Sequence, residues 1–97
     1  MLISLNRTHE IKSNRESGTG RYDVMLIPQD ISKIGIIIEF KKAKNETDEI
    51  LEAAAEDALK QINDRNYAGE LRSRGINKII SLGIALRGKR TVIKEQL

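Results

Sequence analysis

Residues 34–41 read IGIIIEFK, and this stretch decides the fold. The consecutive β-branched residues Ile36, Ile37 and Ile38 would crowd a helix and suit a pleated surface. Apolar side chains at both parities mark a central strand, covered on both faces. Upstream, residues 21–27 (RYDVMLI) alternate, with Tyr22, Val24 and Leu26 on one face and Arg21, Asp23, Met25 and Ile27 on the other. That is the period of a second strand, closed by Pro28 and Asp30. Residues 9–14 (HEIKSN) form a short edge strand, followed by a Gly/Ser turn at residues 16–20 (ESGTG).

Downstream the period changes. Leu51, Ala54, Ala55, Ala58 and Ile62 form one apolar stripe, predicting a helix over 47–63. Thr47 or Asp48 caps its start, acids in its first turns complement the helix dipole, and Asn63-Asp64 breaks it. A second short helix runs from Tyr67 to Arg74 and stops at Gly75. Residues 77–86 (NKIISLGIAL) are a third apolar strand, and Arg90–Lys94 return beside it after a turn at Arg87–Lys89. The order β-β-β-α-α-β-β predicts an α/β fold, a mixed β-sheet with helices packed on it.

The chain has 97 residues, without repeats or linkers, so residues 1–97 read as a single domain. There is no cysteine and one histidine, His9, which excludes disulfides, zinc-thiolate sites and multi-histidine metal centres. No apolar run approaches the roughly 20 residues a membrane helix needs, and MLISLNRTHE lacks a signal-like apolar region. The expectation is a cytoplasmic protein without a membrane partner. Its 17 basic and 14 acidic residues are unevenly spread. Residues 45–64 hold seven acids and one base, whereas residues 65–97 hold eight bases and two acids. The basic segments suit a phosphate-bearing partner.

Asp23 and Glu39 are acids inside otherwise apolar strands, where acids are depleted. On neighbouring strands both carboxylates lie on one sheet face. Lys41 shares the face of Glu39, while Phe40 points away. Such a site suits a hard divalent cation, Mg²⁺ or Mn²⁺, held by Asp23, Glu39 and the backbone carbonyl of Phe40, with Lys41 orienting or deprotonating water. The alternative is an ordinary Glu39–Lys41 ion pair and a solvated Asp23.

GRYDVMLIP at residues 20–28 followed by GIIIEFKKAK at residues 35–44 resembles the PD-(D/E)XK nuclease superfamily. The first acid corresponds to Asp23, and the (D/E)XK element to Glu39-Phe40-Lys41. The run Asn14–Asp23, Ile36–Lys41, Leu51–Gln61, Arg74–Lys89 is similar to the branch found at the C-terminus of bacterial AAA-ATPase-like proteins. The resemblance implies a restriction-endonuclease-like fold and an Mg²⁺-dependent nuclease acting on nucleic acid, with DNA as the expected substrate. It also implies an ATPase-like partner domain in longer relatives. Asp23, Glu39 and Lys41 are then catalytic. Gln61 and Tyr67 resemble a Gln/Tyr motif that positions the site or DNA; alternatively they are a surface residue and a core filler. Glu16, Arg21, Lys42 and Lys44 are accessory or DNA-contacting candidates, or solvated charges.

The superfamily core opens with a helix, of which only Met1–Asn6 would represent the end, so the first core helix is expected to be largely missing. Ile36, Ile38 and Phe40 would then lack cover, and a homodimer is expected. A catalytically inactive remnant, serving as a nucleic-acid or protein interaction module, is the alternative function. Residues 83–89 (GIALRGK) match GxxxxGK, but Arg90 follows where a phosphate loop needs Ser or Thr, and the run lies in a strand and hairpin.

Overall fold

The computed structural model describes residues 8–16 and 21–97, with the side chains of residues 14–16, 21 and 22 outside that description. Five strands, β1 (His9–Glu16), β2 (Arg21–Pro28), β3 (Gly35–Lys42), β4 (Ile79–Arg87) and β5 (Arg90–Gln96), lie side by side in chain order. Helices α1 (Asp48–Asp64) and α2 (Tyr67–Ser73) link β3 to β4. The β3–β4 pairing is parallel and the other three are antiparallel, giving the expected mixed sheet. A parallel return needs a long crossover, which the two helices supply.

Each element follows from its residues. β3 is the middle strand of the sheet, as its apolar content requires. The Thr47 hydroxyl accepts from the Ile50 amide at 3.4 Å, and Asp48 and Glu49 stand in the first turn of α1. The helix runs one residue past the expected break, to Asp64, and the chain turns at Asn66 in the left-handed region (φ 53°). α2 ends on Gly75 (φ 91°), whose amide donates to the Arg72 carbonyl while that of Ile76 donates to Leu71. This is the paired closure of a Schellman motif, and Leu71 and Ile76 also meet in the core.

Both helices cover one face of the sheet, the face of Asp23, Met25, Ile37, Glu39 and Ala85. The core there falls into two clusters. One contains Met25, Ile27, Ile37, Ile62, Leu71 and Ile76. The other contains Ala43, Leu51, Ala54, Ala55 and Ala85. On the opposite face Val24, Leu26, Ile36, Ile38, Leu82 and Ile84 are half-buried. The expectation about an opening helix falls on residues 1–7, and the 16–20 turn falls largely on residues 17–20; both segments lie outside the described residues.

Gly83 sets how closely α1 approaches. A Cβ placed there would overlap the Ala55 carbonyl oxygen and come within 2.9 Å of the Leu59 amide nitrogen. Both are backbone atoms, so the clash cannot be relieved by a rotamer change. Gly83→Ala is therefore expected to destabilise the fold by about 1–3 kcal/mol, the usual cost of overpacking. That outweighs the gain of about 0.4–1 kcal/mol from a stiffer unfolded chain. Urea denaturation of the two proteins measures the difference.

Candidate active site

Asp23 and Glu39 are direct cross-strand partners in the β2–β3 register. Directly opposed residues of an antiparallel pair place their Cβ atoms about 4.5–5.5 Å apart on one face. Lys41, two residues beyond Glu39, shares this face, and Arg21 is its cross-strand partner. Phe40, between Glu39 and Lys41, has its ring on the other face and its backbone at the level of the two acids. The acids are deeply buried, Asp23 at 5% and Glu39 at 1% relative exposure. Burying carboxylates is costly unless other groups compensate, so their surroundings are decisive.

Asp23 is compensated from the junction of the helices. Tyr67, the first residue of α2, donates its phenolic hydroxyl to Asp23 Oδ2 at 2.8 Å. Arg65, which caps α1, donates to the Tyr67 oxygen at 3.0 Å and lies 4.0 Å from Asp23 Oδ2. Partial burial pushes the Tyr67 phenol above its ordinary value; the Arg65 bond opposes this, and the Asp23 bond and charge add to it. Glu39 is flanked by Asp23 on β2 and by Gly83 on β4. Gly83 offers no side chain, and α1 is seated directly on it. Oε2 of Glu39, a residue with other interactions, and Oε1 of Gln61 are buried and meet no hydrogen-bond donor among the described residues.

The third candidate, Lys41, donates from Nζ to Asp57 Oδ2 on α1. Asp57, Gln61 and Arg65 stand at four-residue steps and so share one edge of the helix. Asp57 bonds Lys41, Arg65 bonds Tyr67, and Gln61 brings a buried acceptor oxygen. Sequence reading singled out Gln61 and Tyr67 but passed over Asp57 and Arg65. The four-residue step through Gln61 is the signal that could have found them.

Lys42 and Lys44 are exposed, and with Lys41, Ile50, Ala53 and Ala54 they line an open groove where β3 runs towards α1. Glu16 and Arg21 are partners in the β1–β2 register at the end of that hairpin, and their side chains lie outside the described residues. Among the described residues no group of three or more His, Cys, Asp or Glu side chains is placed to hold a metal ion. A cation here would depend on two carboxylates together with neutral oxygens. Among the described residues no helix is long and apolar enough to cross a membrane.

The mixed sheet with two crossover helices on the face of the acids is an α/β architecture of restriction-endonuclease-like kind. A family model described as PD-(D/E)XK nuclease superfamily matches residues 1–96, and the chain belongs to that superfamily. Its members are generally nucleases and typically use divalent metals. Comparison with curated proteins and with solved structures gives no match.

A raised phenol favours the protonated folded state. Tyr67 therefore adds stability that is fully present below pH 10, its unperturbed value, and is lost as pH rises from there through its higher folded value. In metal-free protein, Tyr67→Phe is expected to remove this alkaline loss and to lower stability at pH 7 by about 1 kcal/mol, the worth of one hydrogen bond. Denaturation at pH 7 and above pH 10 measures both effects.

Proposed function

We propose that this chain is a metal-dependent nuclease that hydrolyses phosphodiester bonds of DNA. The observation that carries the reading is the register pairing of buried Asp23 with buried Glu39, with Lys41 on the same face. A cation fits the chemistry of this donor set. Two carboxylates, the Phe40 carbonyl and the buried Gln61 oxygen are hard ligands or acceptors for metal-bound water, as Mg²⁺ or Mn²⁺ requires. Asp23 and Glu39 would hold the ion, which when bound polarises the phosphate and acidifies a bound water.

The chain's own residues do the rest. Tyr67 and Arg65 fix the orientation of the Asp23 carboxylate. Lys41 presents an ammonium on the face of the acids, where it orients the attacking water and offsets charge on the scissile phosphate. α1 shields Glu39 from bulk water, which strengthens every charge interaction in the site. Lys42 and Lys44 extend positive charge along the groove, suited to the DNA backbone.

Lys41→Ala is expected to lower Mg²⁺- or Mn²⁺-dependent cleavage of plasmid DNA by about 10²–10⁴-fold and to leave metal affinity unchanged, since a charged ammonium donates no lone pair. Glu39→Gln and Asp23→Asn should weaken both cleavage and metal binding measured by calorimetry. Glu39→Gln should also raise the melting temperature of metal-free protein, because it removes one of two buried like charges. Wild-type protein that neither binds millimolar Mg²⁺ or Mn²⁺ nor cuts DNA would replace this reading with a non-catalytic interaction module.

The half-buried apolar face carrying Ile36, Ile38, Leu82 and Ile84 supports self-association through a second copy of the chain. Light scattering is expected to give a dimer mass. A strict monomer at high concentration, together with an unchanged mass for Ile38→Lys, would rule it out.

A further inference from the structure

Lys41 makes a contact that the proposed reaction does not require of it. Its ammonium bonds Asp57 on α1, sixteen residues later in the chain. The two side chains are 27% and 40% exposed, and pairs this accessible add little to folding stability. Among the described residues Asp57 does not join Asp23 and Glu39 in a group of three side chains placed to hold a metal ion. The pair has a geometric effect instead. A lysine has a flexible four-carbon stem, and a single carboxylate at the right place selects one of its many rotamers.

Asp57 is well placed to do this. The helix on both sides of it is seated on β4, with the Ala55 carbonyl and the Leu59 amide against Gly83. The carboxylate is thus carried by backbone packed directly against the sheet that bears Lys41. Four residues on, Gln61 brings its buried oxygen, and four further on Arg65 supports Tyr67 and Asp23. One edge of α1 therefore reaches a helix-face residue of β3 through Asp57 and one of β2 through Arg65.

We propose that Asp57 is the positioning residue of the site: it holds the Lys41 ammonium on the Asp23–Glu39 face in the orientation that the reaction uses. This rests on the nuclease reading above. Asp57 touches no reacting atom, and its negative charge opposes phosphate binding nearby. Its loss should therefore lower turnover without weakening substrate binding, a split that a general structural defect would not produce.

The test is Asp57→Asn, with Asp57→Glu beside it, in the whole chain. Asp57→Asn is expected to lower kcat for DNA cleavage by about 10–100-fold, the usual effect of removing a supporting partner, with KM unchanged or lower. Calorimetric Mn²⁺ affinity should stay within about two-fold of wild type, because no first ligand is lost. Asp57→Glu should recover part of kcat. The nitrogen-15 signal of the Lys41 ammonium should be ordered in wild type and averaged in Asp57→Asn. Combined with Lys41→Ala, the Asp57 change should cost nothing further. An active wild type with unchanged kcat in Asp57→Asn, an equally ordered ammonium, or a parallel loss of metal affinity overturns the proposal. A wild type without cleavage in either metal overturns the nuclease reading itself, and is told apart by that blank.

Discussion

The β2–β3 register is the constraint on which the site depends. Side chains alternate along a strand, so a slip of one residue would send Asp23 to the face opposite Glu39. It would also carry Met25 and Ile27 away from the helices. The apolar residues and the acids thus specify the same register, and a mispaired sheet would lose its core along with its site. The connection between the strands is shaped accordingly. Asp30 accepts from the Ser32 amide and hydroxyl at 3.0 and 2.7 Å, an Asx-type turn that follows the end of β2 at Pro28.

That register places a row of polarity across a face that is otherwise core. One cluster contains Met25, Ile37, Ile62 and Leu71; the other is the alanine-rich contact of Leu51, Ala54, Ala55 and Ala85. Asp23 and Glu39 are buried on this same face. A purely structural sheet would fill these positions with branched aliphatics and join the clusters into one. Two buried acids, and a buried amide oxygen that meets no donor among the described residues, are a local loss of stability, of the kind found at functional positions. Around the row the close seat of α1 on Gly83, the Schellman closure of α2 and the Tyr67 bond restore order.

Legibility in the sequence followed the strength of each physical signal. β3 was readable because consecutive isoleucines leave little choice of conformation, and α1 because its five-residue stripe is the set the structure buries. Asp23 and Glu39 stood out as acids in apolar strands. Asp57 and Arg65 did not, because charged residues around a helix ordinarily face water and the neighbouring Glu52, Glu56 and Asp64 are exposed. Only partners brought in by the fold distinguish them. Gly83 was equally opaque: a strand glycine signals a bulge or a close approach, and nothing local says which. Tyr67 could be core filler or site residue from spacing alone, and its hydrogen bond to Asp23 places it beside the acids.

The uneven charge of the chain gains a direction once it is placed on the fold. The acids of residues 45–64 lie on or just before α1, where Glu49, Glu52 and Glu56 are exposed while Asp57 turns to Lys41. A polyanion is repelled by that outer surface. Along the groove, Lys41, Lys42 and Lys44 have the opposite sign, and at the far end of α1 Arg65 adds a guanidinium beside Tyr67. On the nuclease reading, a backbone spanning these cations would pass beside α1 rather than over it. On the same reading, the helix would keep phosphate from its outer face while its inner edge, through Asp57 and Arg65, contacts the lysine and the acid proposed for the chemistry.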